Sequence, residues 1–186
     1  MNNVLIIFDL EATCGEDLPK HKREIIEVGA VKVLDGNVID TFQKFIKPKN
    51  HNQLSQYCKD LTHISQKEID GASHPKEVLQ TFIEWAGNAV FASWGDFDAN
   101  IMQKELHKNK LTATTIIQFV NLQRIYMAVK KLPLSISLSD ALKKEHIVNE
   151  ANLHRAYDDA FNTYKIYKKN ETKINAMMSQ YYSKLR

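Results

Sequence analysis

Asp9 and Glu11 close the first apolar run of the chain and stand two positions apart. A strand that continues through both would project the two carboxylates from one face. Such a pair is costly unless one acid keeps its proton or a cation neutralises both. If the strand stops at Phe8, both acids are simply solvated. Asp98 ends the stretch Ser93-Trp94-Gly95-Asp96-Phe97-Asp98, where its plainest role is a helix N-cap. His154 and Asp159 lie five apart around the start of the last long helical pattern, which puts the imidazole on the preceding loop and the carboxylate in the first turn. Asp158 competes with Asp159, because any acid is favoured near a helix N-terminus. Each residue alone has an ordinary structural role. Together the carboxylates offer the hard oxygen ligands that Mg²⁺ prefers, and the histidine can move a proton near neutral pH.

Those residues need a scaffold, and the hydrophobic pattern predicts one. Val4 to Phe8 is continuous and rich in β-branched residues, as a strand buried on both faces should be, which makes it central. Ile25 to Val33 and Val38 to Ile46 flank Asp35-Gly36-Asn37, a hairpin signal, so the first three strands form an antiparallel meander. Ser65 and Glu68 have capping-box spacing, and Pro75 suits the first turn of a helix carrying Val78, Leu79, Phe82 and Ala86 and ended by Gly87. Ala89 to Ser93 reads as a strand, Asp98 to His107 as a helix, and Ile116 to Leu122 as a strand. Ser137 with Asp140 opens a helix to Lys144, and Ala156 to Lys169 is the last major helix, with Ala160, Tyr164 and Tyr167 on one stripe. Antiparallel strands followed by alternating strands and helices imply an α/β protein with a mixed central sheet flanked by helices.

With 186 residues, 44% hydrophobic and 25% charged, the chain fits one domain over residues 1–186 with its core at about 4–169. The first apolar run is too short for a signal sequence or a membrane span, so a soluble cytoplasmic protein with no membrane partner is expected. Cys14 and Cys58 are far apart and read as reduced thiols, which argues against a structural zinc site. The net charge of +3 is unevenly spread. Residues 165–186 hold six Lys or Arg against Glu171, leaving residues 1–164 at −2. That tail either meets phosphates or forms the solvated face of a terminal helix.

Three segments, Phe8-Asp9-Leu10-Glu11-Ala12-Thr13-Cys14, Ser93 to Asp98 and His154-Arg155-Ala156-Tyr157-Asp158-Asp159-Ala160, resemble in order and separation the three motifs of the DEDDh 3′-to-5′ exonucleases. The wording is most similar to the Eri-type exoribonucleases and the KapD-type bacterial exonucleases, rather than to polymerase proofreading subunits. One D-x-E carries almost no information, whereas three separated motifs in agreement carry much.

The resemblance implies a ribonuclease H-like fold and two divalent ions, Mg²⁺ or Mn²⁺, held by Asp9, Glu11, Asp98 and Asp159, with His154 as general base. It implies hydrolysis from the 3′ end of a single-stranded nucleic acid, RNA favoured over DNA, releasing nucleoside 5′-monophosphates. Leu10, Ala12 and Thr13, together with Thr62 and Ile64 of the segment Leu61-Thr62-His63-Ile64, fall where the family meets the terminal nucleotide. His63 stands where the family carries glycine. Trp94 and Phe97 either stack on a base or pack in the core. A DNA proofreading or repair exonuclease is the nearest alternative, and a nucleic-acid-binding or scaffold protein that has lost catalysis is another. All five catalytic positions are filled by the required residue types, which opposes the last.

Overall fold

The computed structural model describes residues 4–111, 118–148 and 154–183. A five-stranded mixed sheet forms its centre, with order β3-β2-β1-β4-β5. The strands are β1 (Leu5–Ala12), β2 (Ile25–Leu34), β3 (Asn37–Phe45), β4 (Val90–Ser93) and β5 (Phe119–Asn121). β1, β2 and β3 are the expected antiparallel meander, whereas β4 runs parallel to β1 and β5 parallel to β4. The hairpin between β2 and β3 turns through Asp35 and Gly36, both at positive φ, 50° and 73°, as a two-residue turn that matches strand twist requires.

The helices are α1 (Gln56–Thr62), α2 (Gln66–Asp70), α3 (Pro75–Ala86), α4 (Phe97–Lys108), α5 (Leu122–Lys130), α6 (Leu138–Lys144), α7 (Ala156–Lys169) and α8 (Glu171–Ser183). Alternation along β1 assigns them to two layers. Ile6, Phe8, Leu10 and Ala12 join Val78, Leu79, Phe82, Ile101, Met102 and Leu106 of α3 and α4 on one face. Leu5 and Ile7 point the other way, into a cluster with Leu122, Tyr167 and Ile174 of α5, α7 and α8. The rings of Phe82, Phe91 and Phe119 surround Phe8 at centroid distances of 5.9–6.3 Å, which anchors the first layer.

The structure decides one open alternative and corrects other expectations. β1 runs through Asp9 and Glu11, so the strand continues past Phe8. The expected strand from Ile116 to Leu122 is reduced to Phe119–Asn121, because Leu122 already begins α5; residues 116 and 117 lie outside the described residues. Asp98 is the second residue of α4 and Asp96 is its N-cap. Cys14 and Cys58 are free and buried. No described helix is long and apolar enough to cross a membrane.

Candidate active site

Asp9 and Glu11 share the face of β1 that looks toward α7, and they sit opposite Gly29 and Glu27 of β2. Gly29 decides how close α7 can come. A Cβ built there would fall under 3.0 Å from the carbonyl carbon of Ala156 and from the nitrogen and Cα of Tyr157, so only glycine lets the start of α7 rest directly on the sheet. That approach delivers Asp159 to the two β1 carboxylates. Because β4 is parallel to β1, the loop leaving its carboxyl end carries Asp98 to the same edge of the sheet.

Dense surroundings and mutual repulsion dominate the electrostatics. Asp9 is held well above the usual carboxylate range, first by removal from water and then by Asp98, Glu11, Asp159 and Glu27. Burial, followed by Asp159, Glu27 and Asp98, pushes Glu11 from its ordinary 4.5 up to about 8. Burial also lifts Asp98 to about 7, against the pull of the backbone amides of Asp98 and Leu10, and Asp159 adds to the rise. Asp159 is raised by burial although the His154 amide opposes the shift. Four acids cannot all ionise here at neutral pH without a compensating positive charge.

The donor set fits a divalent cation. Glu11, His154 and Asp159 each offer a ligand atom, and these atoms all lie within 4.8 Å of one another. Asp159 Oδ2 accepts the His154 backbone N–H at 3.0 Å, while its Oδ1 is buried with no hydrogen-bond partner among the described residues. An unpartnered buried carboxylate oxygen facing other acids is what a cation ligand looks like before the cation binds. The His154 side chain is exposed, and its φ of 69° is left-handed. Asp158 is only half-buried and stands outside this group, so the structure separates it from Asp159.

The remaining sequence candidates fall in varied surroundings. The side chains of Leu10 and Ala12 pack in the core on the α3 and α4 side, leaving only their backbone toward the acids. Thr13 is buried, and its Oγ1 accepts the Glu24 N–H at 3.0 Å. The Thr62 hydroxyl donates to the Cys58 carbonyl and accepts the Ile64 N–H, while Ile64 itself is wholly buried. His63 caps α1 at φ 56°, a left-handed position that ordinarily favours glycine. Trp94 packs on Tyr126 and donates to the Ile136 carbonyl, whereas Phe97 is 39% exposed beside Asp98. Sequence reasoning missed Gly29, Glu27 and Arg155. A glycine and an acid inside the apolar run Ile25-Ile26-Glu27-Val28-Gly29-Ala30-Val31 were the available signal.

Comparison with known proteins agrees with this geometry. A family model described as exonuclease, RNase T, matches residues 6–167. The PolC-type DNA polymerase III of Clostridium perfringens is 32% identical over 166 residues, covering 88% of this chain and 11% of that protein. The chain thus spans about a tenth of the length of that polymerase. The probable 3′-5′ exonuclease KapD of Bacillus subtilis is 27% identical over 171 residues, 89% of this chain and 83% of that one. Among solved structures, the nuclease domain of 3′hExo, a DEDDh family member bound to rAMP, superposes with a TM-score of 0.83 at 26% identity over 92% of both chains. The mixed sheet with flanking helices is the ribonuclease H-like exonuclease fold of that neighbour.

Proposed function

The chain belongs to the RNase T exonuclease family, as a DEDDh-type hydrolase of nucleic acids, and from that membership we propose that it removes nucleoside 5′-monophosphates from the 3′ end of single strands. The observation that carries the reading is the meeting of Asp9, Glu11, Asp98 and Asp159 beside His154, with one Asp159 oxygen buried and unpartnered. Two divalent ions, Mg²⁺ or Mn²⁺, held by the four carboxylates would supply the positive charge that the site lacks and polarise the scissile phosphate. Asp9, which feels all three other acids, would help to hold both ions.

His154 takes the proton from the attacking water through its imidazole, and the tie between its amide and Asp159 fixes the backbone from which the ring projects. The backbone of Leu10 to Thr13 receives the terminal nucleotide, and Thr62 and Ile64, both buried, shape the segment beside it. Phe97 offers an exposed ring for a base, while Trp94 is committed to Tyr126 and Ile136. Residues 1–186 act as a single exonuclease unit.

RNA is the favoured substrate, supported by the likeness over 92% of the rAMP-bound nuclease domain. A DNA substrate is the second reading, supported by the PolC-type polymerase relative. Linear RNA and DNA of one sequence, labelled at the 5′ end, separate the two when incubated with Mg²⁺, with Mn²⁺ or with chelator. A descending ladder on the preferred strand, abolished by chelator, is expected, and circular strands should survive. Circles cut as fast as linear strands would overturn the exonuclease reading in favour of an endonuclease.

A further inference from the structure

Glu27 lies in the middle of β2, opposite Glu11, and is fully buried. A carboxylate in that place is strongly unfavourable unless paired and saturated with hydrogen bonds. It is both. Its Oε1 accepts from Arg155 Nη2 at 3.0 Å and from Gln43 Nε2 at 2.8 Å, and its Oε2 accepts from Arg155 Nε at 3.2 Å and from the Ala156 backbone N–H at 3.1 Å. The Arg155 guanidinium also lies over the ring of Phe45, 5.3 Å from its centroid, and Phe45 is the β3 residue paired with Glu27. The fork of the arginine is therefore fixed in plane by the acid and from one face by the ring.

These contacts are spent on one short turn. Arg155 is the N-cap of α7, yet its own side chain does not cap the helix. Glu27 caps it instead, from a strand 129 residues away in sequence. The residue before the cap is His154, in a left-handed conformation, with its amide on Asp159. The turn is thus tied at two points, to the sheet by Glu27 and to the first turn of α7 by Asp159. Buried ion pairs contribute little net stability compared with apolar packing, and here the four hydrogen bonds to Glu27 fix where the turn sits.

We propose that Glu27 is a positioning residue for hydrolysis, acting through Arg155 and the Ala156 amide to hold His154 and Asp159 in place against Glu11. The role rests on the exonuclease reading above. Arg155 must act as a planar, bidentate group, so a lysine there keeps the charge and loses the fork.

The test measures kcat and KM on a 5′-labelled single strand for wild type, Glu27→Gln, Arg155→Lys and the double variant, well below each melting midpoint. Each single variant should lower kcat by about 10- to 100-fold, as loss of a group that orients a site residue does, with KM within about two-fold. The double variant should lose no more than the worse single, because both changes break one unit. If Glu27→Gln does not fold, Arg155→Lys carries the test alone, since that side chain is 22% exposed. A folded Arg155→Lys with wild-type kcat, or a loss confined to KM, overturns the positioning role while leaving the exonuclease reading intact. A wild type that degrades no 3′ end overturns both.

Discussion

Gly29→Ala adds a single methyl group where α7 touches the sheet. Its Cβ would face three backbone atoms of Ala156 and Tyr157, the nearest about 1 Å inside the 3.0 Å that real Cβ contacts respect. Backbone cannot swing aside as the tip of a side chain does, so the start of α7 must retreat by about 1 Å. That retreat draws Ala156 away from Glu27 and carries His154 and Asp159 away from Glu11. Overpacking of this kind costs roughly 1–3 kcal/mol. For a chain of this size that is a fall in Tm of roughly 2–12 °C, at about 2–4 °C per kcal/mol. A catalytic group misplaced by about 1 Å costs on the order of 100-fold in rate. Gly29→Ala should therefore melt cooperatively and lose about 100-fold in kcat on a labelled single strand. Gly36→Ala is the comparator, since its φ is 73° and the added Cβ meets only the carboxylate end of Glu171. A left-handed alanine costs about 1–2 kcal/mol, so that variant should lose stability and keep kcat. A folded Gly29→Ala with kcat within a few-fold of wild type would refute the argument that α7 must lie directly on the sheet for activity.

Linkage supplies a second expectation. Folding lifts Glu11 from 4.5 to about 8 and Asp98 from 3.8 to about 7, so the folded state binds more protons than the unfolded one across that interval. The metal-free protein should be most stable near pH 4 to 5 and lose stability as pH rises to about 8, and saturating Mg²⁺ or Mn²⁺ should flatten the loss. Urea midpoints measured across that range with chelator and with each ion check it; a metal-free midpoint that does not fall with pH contradicts the clustering of the acids. Asp9→Asn removes the charge that feels every other acid, so its metal-free form should melt higher than wild type while its hydrolysis becomes undetectable, as calorimetry beside the ladder assay would report. His154→Ala should lose about 10²- to 10⁴-fold in kcat and keep the stabilisation by divalent ions, whereas Asp159→Asn should lose both. Equal retention of that stabilisation in the two variants would remove the distinction between their roles.

Much of this site was legible because alternation is a strong signal. Asp9 and Glu11 could share a face only if β1 continued past Phe8, and the cross-strand partners Gly29 and Glu27 show that it does. α7 was readable at both ends because an apolar stripe with helical period runs through Ala160 and Tyr167. α5 was not, because it begins at the residue after β5: Val120 and Leu122 read as one strand, while Asn121 caps the helix between them. α1 is a seven-residue helix held by the Ser55 cap, too short for a period to emerge. The importance of Glu27 and Gly29 was hidden for another reason. What each does depends on a segment more than a hundred residues away, and no local pattern reports that.

The four clustered carboxylates come from three separate stretches of chain, β1, the start of α4 and the start of α7, and this bears on how the protein folds and comes apart. Asp9 and Asp159 are 150 positions apart, so their encounter waits for one of the longest loop closures the chain makes. Asp9, Glu11 and Glu27 already meet once β1 and β2 pair, whereas Asp159 adds its repulsion only when α7 arrives. If α7 docks on Gly29 after the barrier, the repulsion that Asp159 adds acts on the unfolding rate alone. Divalent ions would then leave the folding rate unchanged and slow unfolding, which makes the lifetime of the native state, more than its formation, the quantity that the cation supply sets.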